Sequence, residues 1–207
     1  MRVARRLMLT LAAAALATAC SKAGAAGGGS QALGDEVDLG KPTARVKVVE
    51  VASLACSHCA EWNQHVFPVF KAKYIDTGKV EYGLREFITE PAPLAAAGSL
   101  LARCAGHDKY FSVVESVFRA QADIFKTQDI RTPLLRVAQS AGLSPQQFDA
   151  CINDDKALAA LQARVDRTAA LYKIDGTPTF VIDGKVQPSG EMTMDQLDKA
   201  IQPLLRK

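Results

Sequence analysis

Aromatic residues make up only 6% of the sequence, with a single tryptophan, and there are three histidines and no second C-x-x-C pair. That scarcity removes the usual four-ligand zinc pattern of paired Cys and His motifs. Charge of one sign is also scarce. The 25 basic residues exceed the 22 acidic ones by three, and Arg2, Arg5 and Arg6 at the start account for the whole excess. Beyond residue 19 the balance is zero and no basic run occurs, so there is no electrostatic reason to expect nucleic acid. The apolar stretch from Leu7 to Ala17 is too short to span a bilayer comfortably. No internal repeat is visible. What remains, 48% hydrophobic and 23% charged over 207 residues, is an ordinary globular chain of one domain, or one domain with an insertion.

The start reads as an export signal, residues 1–19. A basic opening, Met1 to Arg6, precedes the apolar stretch, and Ala17-Thr18-Ala19 supplies the small residues a signal peptidase needs. With Cys20 next, Ala17-Thr18-Ala19-Cys20 resembles a bacterial lipobox. The resemblance implies that Cys20 becomes the lipid-bearing N-terminus; ordinary cleavage after Ala19 is the other reading. Residues 21–34 are rich in Gly, Ala and Ser and read as a tether within a linker over 20–40. The expected domain is then 41–207, on the periplasmic side of a bacterial membrane and attached to it through Cys20.

Setting Cys20 aside leaves Cys56, Cys59, Cys104 and Cys151, an even number suited to an oxidising compartment. A C-x-x-C at a helix start favours bonding within itself, which leaves Cys104 with Cys151 as a structural disulfide. Closing that loop would stabilise the fold by roughly 4 kcal/mol in the chain-entropy model. Two buried free thiols are the alternative.

Val46-Lys47-Val48-Val49-Glu50-Val51 reads as a central strand. A helix is expected from the cysteine motif to Lys73, with Trp62, Val66, Val69 and Phe70 on one face and a kink at Pro68. Alternation over Lys79–Phe87 gives a second strand after the turn Asp76-Thr77-Gly78. From about 91 to 173 only helices fit, with breaks near Gly106, Asp129 and Gly142–Pro145. Ser144-Pro145-Gln146-Gln147 is a capping-box start. The last of these helices, Lys156–Tyr172, places Leu158, Leu161, Val165 and Ala169 on one face. Thr179–Ile182 and Lys185-Val186 form a hairpin about Asp183-Gly184, and a final helix runs from about Thr193 to Leu205. Trp62, Phe67, Phe70, Phe111, Phe118 and Phe125 are expected in the core. Arg131 and Arg136 are expected on solvated faces.

Cys56-Ser57-His58-Cys59 carries the chemistry. Disulfide exchange needs an exposed thiolate of low pKa and a second thiol within reach. Cys56 at a helix N-terminus meets unpaired N–H groups and the favourable end of the dipole. Cys59, one turn in and more shielded, is the expected resolving thiol. His58 should help to stabilise the Cys56 thiolate, which makes the disulfide form the stronger oxidant. A three-ligand site from Cys56, Cys59 and His65 is conceivable, but His65 reads better as a helix-surface residue and His107 as part of a turn. No metal and no cofactor are expected.

The order strand, helix, strand, helical block, hairpin, helix resembles a thioredoxin fold, and a helical block before the hairpin is the arrangement of the DsbA family. The fold class implied is α/β with a helical insertion at about 91–173, and the resemblance covers about residues 41–205. It identifies Thr177-Pro178, in Gly176-Thr177-Pro178-Thr179-Phe180, as the cis-proline pair beside the active cysteines, where the Thr177 backbone can pair with a substrate segment. It also places Glu50 at the family's buried acid, acting on the pKa of Cys59 or relaying its proton. Implied partners are reduced or misoxidised exported proteins and a membrane redox partner that regenerates the disulfide. Ser57 stands where that family often has Pro, and Thr177 where it often has Val. Thr before the cis-proline also occurs in isomerase-type relatives. Those relatives often carry a separate dimerisation domain, for which residues 21–40 are too few. A monomeric oxidase is therefore the first expectation, an isomerase or reductase on the same site the second. A non-catalytic metal or peptide carrier is the third.

Overall fold

The computed structural model describes residues 36–206. The expected signal, Cys20 and the tether over 21–34 lie outside those residues. Strand β1 is Asp38–Leu39, β2 Val46–Ala52, β3 Val80–Glu86, β4 Thr179–Ile182 and β5 Lys185–Val186. They form one sheet in the order β1-β3-β2-β4-β5. The β-branched run of β2 lies at its centre, parallel to β3 with Val46 opposite Val80 and antiparallel to β4 with Val48 opposite Ile182. Asp183 and Gly184, both at positive φ (50° and 80°), close the β4–β5 hairpin as the Asp-Gly pair predicts. Asp38–Leu39 pairs antiparallel with β3, and the Glu36 side chain is only 5% exposed. The segment 36–40, read as the end of a linker, is therefore part of the fold.

Between β2 and β3 the chain forms helix α1 (Ser57–His65), helix α2 (Phe67–Phe70) and a π-helical turn (Lys71–Ile75). A single helix kinked at Pro68 was the sequence expectation. The break instead falls at Val66, and Pro68 occupies the first turn of α2, where its missing N–H is not needed. The re-phasing turns Phe67 and Phe70 inward and leaves Val69 54% exposed, against its expected place on the packed face. The apolar–polar alternation of β3 likewise does not leave one face in water. Helices cover both sides, so Arg85 and Glu86 are buried and must be paired.

The block between β3 and β4 comprises α3 (Ala92–Cys104), α4 (Tyr110–Thr127), α5 (Arg131–Ser140), α6 (Pro145–Ile152) and α7 (Asp155–Tyr172); α8 (Met194–Leu205) closes the chain. Local chemistry sets several starts. Ser144 with Gln147, and Thr193 with Gln196, form reciprocal capping boxes on α6 and α8. A Cys104–Cys151 disulfide joins the end of α3 to α6 across 47 residues. On α7 the buried face holds Leu161 and Val165 together with Arg164 and Thr168, whereas Leu158 is 46% exposed. The reason is Glu86, whose buried carboxylate draws in Arg164 (Nε to Oε2, 3.3 Å) and Arg103 of α3 (Nη2 to Oε2, 3.0 Å). Arg85 is held in turn by Glu36 (3.1 Å) and Asp38 (2.9 Å). These pairs attach the helical block and the β1 segment to β3.

Trp62, Phe67, Phe70, Phe111 and Phe118 enter the main core, with Phe125 half-buried at its margin. Trp62 packs at 4.7 Å from Phe180, and Phe67 at 5.0 Å from Tyr82, so α1 and α2 are clamped onto β3 and β4 by aromatic contacts.

Candidate active site

Strand β2 ends at Ala52, and the loop Ser53–Ala55 lifts the chain to the start of α1. Ser53 anchors this loop. Its hydroxyl oxygen accepts from Ala55 N–H (3.2 Å), Thr89 N–H (3.3 Å) and the Thr89 hydroxyl (2.9 Å), and its carbonyl accepts from Cys56 N–H (3.0 Å). From the helical block, the buried amide of Gln121 on α4 donates to the carbonyls of Leu54 (2.8 Å) and Cys56 (3.2 Å). Satisfying those carbonyls matters because the loop is buried.

Cys56 is the N-cap of α1, in extended backbone (φ −85°, ψ 120°), and its Sγ accepts from Cys59 N–H at 3.2 Å. Both cysteines are thiols. Cys56 retains 9% of its surface, less than an openly exposed nucleophile would show, and Cys59 retains none. Hydrogen bonding from the Cys59 thiol, helped by the Thr177 side chain and the N–H groups of Cys59 and His58, brings the Cys56 thiol down to about 6 against the opposing effect of burial. Cys59 goes the other way. Burial pushes its thiol far up, and the hydrogen bond to Cys56 and the charge of Glu50 add to this.

The Thr177–Pro178 peptide is cis. It places the Thr177 carbonyl oxygen 3.4 Å from Cys56 Sγ. Gly190 N–H donates to the Pro178 carbonyl (2.8 Å), and the Thr179 hydroxyl donates to the Gly176 carbonyl (2.7 Å), so the loop is held from both sides. A second cis bond, Glu90–Pro91, precedes α3.

His58 is exposed and its Nδ1 meets Glu191 Oε1 at 2.8 Å. That hydrogen bond, then the charge of Glu191, raises the imidazole pKa. Trp62 Nε1–H donates to the Met192 carbonyl (2.8 Å), which fixes the segment bearing Glu191 beside α1. Glu50 is fully buried on β2. Burial raises its pKa to about 8, the hydrogen bond from the Tyr82 hydroxyl works against that rise, and the charge of Cys56 adds to it.

The structure thus brings together Cys56, Cys59, His58, Thr177, Pro178 and Glu50. Cys104 and Cys151 form their disulfide within the helical block, apart from this group. His65 is exposed and pairs with Glu61 across one helical turn (3.2 Å). His107 opens a short 3₁₀ turn, His107–Lys109. Among the described residues no group of three or more Cys, His, Asp or Glu is placed to hold a metal ion. Tyr82, Gln121, Ser53 and Glu191 escaped the sequence reading. Tyr82 had one available signal: it is an aromatic in a strand predicted to lie beside the strand of Glu50.

A family model described as thioredoxin matches residues 32–203. A candidate protein-disulfide oxidoreductase of Rickettsia conorii is 36% identical over 174 residues, 84% of this chain and 61% of the relative. This chain therefore spans about three-fifths of the length of that relative. A Bacillus anthracis protein whose name assigns it to disulfide bond formation is 27% identical over 173 residues, 82% of this chain and 78% of the relative. Among solved structures, alpha-DsbA1 of Wolbachia pipientis superposes with a TM-score of 0.76 at 29% identity, covering 84% of this chain and 92% of that one. Oxidised BdbD of Bacillus subtilis does so with a TM-score of 0.71 at 25% identity, covering 83% and 94%. With its sheet, inserted helices and cis-proline beside a C-x-x-C, the chain belongs to the thioredoxin family, in the DsbA-like form.

Proposed function

We propose that this protein is a DsbA-type thiol–disulfide oxidoreductase that donates the Cys56–Cys59 disulfide to client proteins. The observation that carries the reading is the opposite treatment of the two thiols. Cys56 is capped by N–H groups and lies 3.4 Å from the Thr177 carbonyl, while Cys59 is buried behind it. A client thiolate attacks Cys56 Sγ of the disulfide form. The Cys56–Cys59 bond breaks, its electron pair goes to Cys59 Sγ, and that sulfur takes a proton. Buried thiolate at Cys59 is strongly disfavoured, so a nearby acid must supply the proton. Glu50, with a pKa near 8, is protonated at neutral pH and has that role. A second client thiolate then attacks the client sulfur of the mixed disulfide and Cys56 leaves as thiolate, for which its low pKa suits it.

Thr177-Pro178 serves as the edge on which an extended client segment is aligned, and His58, whose pKa the contact with Glu191 raises, supports the thiolate through its backbone N–H. The stabilised thiolate favours the oxidase direction. Cys104–Cys151 is assigned a structural role. The clients are exported proteins, and a membrane redox partner reoxidises Cys56 and Cys59. Residues 1–19 act as the export signal, Cys20 carries lipid at the periplasmic side of a membrane, and the domain after the linker works as a monomer. The names of the relatives support the chemistry, and the leader sequence supports the location.

Refolding of a reduced and of a scrambled disulfide client tests the direction. Activity on the reduced client is expected; activity confined to the scrambled one would make this an isomerase, the reading that Thr177 favours. A Cys59→Ser variant should trap mixed disulfides through Cys56, and its failure to do so would mean a binding module without exchange chemistry. Mass spectrometry of the mature N-terminus tests lipid on Cys20.

A further inference from the structure

Glu50 has two carboxyl oxygens in different circumstances. Oε2 accepts a hydrogen bond from the Tyr82 hydroxyl, whereas Oε1 is buried with no hydrogen-bond partner among the described residues. A buried acceptor left unpaired is costly and calls for a reason. The surroundings supply one. In the sheet Glu50 lies opposite Leu84 of β3 and Phe180 of β4, both apolar, while the Cys59 thiol responds to its charge and Glu50 responds in turn to that of Cys56. Tyr82, two residues before Leu84, is itself fully buried and packs on Trp62, Phe67, Phe70 and Phe111. Its ring therefore has no freedom to turn the hydroxyl elsewhere. Burial, then the charge and hydrogen bond of Glu50, with Tyr110 of α4 adding, keep the phenol protonated far above neutral pH, so it acts as a donor throughout.

We infer that Tyr82 is a positioning residue for the proton transfer between Glu50 and Cys59: its hydroxyl grips one carboxyl oxygen and so presents the other to the Cys59 thiol. This rests on the reading of Glu50 as the group that exchanges a proton with Cys59. In the reverse of the oxidase step, Cys59 S–H gives its proton to the Glu50 carboxylate. The resulting thiolate attacks Cys56 Sγ of a mixed disulfide, and the partner leaves as its own thiolate. The hydrogen bond from Tyr82 stabilises that carboxylate and offsets part of the cost of burying it. Without the hydroxyl, Glu50 would remain an acid to higher pH and become a poorer acceptor at neutrality.

The two thiols can be read separately by mixing the reduced full-length protein with dithiobis(nitrobenzoate). Cys56 attack releases the first nitrothiobenzoate and leaves a mixed disulfide on Cys56; Cys59 attack on that sulfur releases the second. In Tyr82→Phe the first phase should keep its pH profile. The midpoint of the second phase should move up by about one pH unit, slowing it about tenfold at pH values below the midpoint. An infrared carboxyl band absent from Glu50→Gln should titrate later in the same variant, a readout that a loss of packing alone would not move. Replacing tyrosine by 3-fluorotyrosine, a stronger acid of the same shape, should move the second-phase midpoint down. This arm stands even where Tyr82→Phe folds poorly. A second phase unmoved by both changes overturns the role of Tyr82 if Glu50→Gln still removes the midpoint. If Glu50→Gln leaves the wild-type profile intact, the proton role of Glu50 falls, and that of Tyr82 with it.

Discussion

Cys56 and Cys59 are separated by two residues and sit in opposite environments, because one caps α1 and the other faces the core. The Cys59 thiol is the leading influence lowering Cys56 to about 6, so removing it has a signed consequence. In Cys59→Ala the thiolate absorbance of Cys56 should titrate at higher pH than in the wild-type dithiol. An unchanged midpoint would assign the low value to the helix terminus instead. Glu50 produces a stability effect of opposite sign. Its pKa is raised from 4.5 to about 8 on folding, so the native state binds the extra proton between those values. Its contribution is fully present below pH 4.5 and is lost as pH rises through 8. Denaturant midpoints of the oxidised protein, in which the Cys56–Cys59 disulfide removes the opposing titration of Cys56, should therefore decline across pH 5–9 in the wild type and flatten in Glu50→Gln. The variant should be the more stable at pH 9, by a difference on the order of 5 kcal/mol.

At the scale of elements, α3 and α6 are joined by the disulfide between Cys104 and Cys151, remote in sequence and apart from Cys56 and Cys59. The double variant Cys104→Ser, Cys151→Ser should lose roughly 4 kcal/mol of stability, read as a lower denaturant midpoint, because its denatured chain is less constrained. Both phases of the nitrothiobenzoate reaction should keep their rates; a changed first phase would mean that the bond also tunes Cys56. The elements that sequence patterns located well are those whose cause is local. The β-branched run gives β2, Asp183-Gly184 gives the hairpin, and Ser144 with Gln147 starts α6. Elements misjudged are those whose cause is distant. Helix α1 ends before Pro68 because Phe67 and Phe70 must reach Tyr82, and α7 turns Arg164 inward because Glu86 lies buried beneath it. No pattern of period 3.6 contains either demand.

Across the whole molecule, the inserted helices do more than cover the sheet. Helix α4 sends Gln121 into the loop before α1, so the helical block directly supports the carbonyls on which Cys56 is mounted. Gln121→Leu, close in volume but without the amide, should cost about 1–3 kcal/mol through the unpaired carbonyls. Hydrogen exchange should quicken at the amides of residues 54–60 while α5 and α6 stay protected. Uniform loosening of the block instead would show that Gln121 acts only as a packing residue.

The sequence by itself determined the fold class, the positions of β2, β3 and the β4–β5 hairpin and the pairing of Cys56 with Cys59 at a helix start, because strand propensity, turn residues and two thiols one helical turn apart act over a few residues. Tertiary structure decided how the site is tuned. Tyr82 meets Glu50 across the sheet, Glu191 meets His58, and Thr177 meets Cys56, at sequence separations of 32, 133 and 121 residues. Hydrogen bonds and charge effects depend on distance through space and on burial. Both are set only when the sheet has ordered its strands and the helices have closed over it.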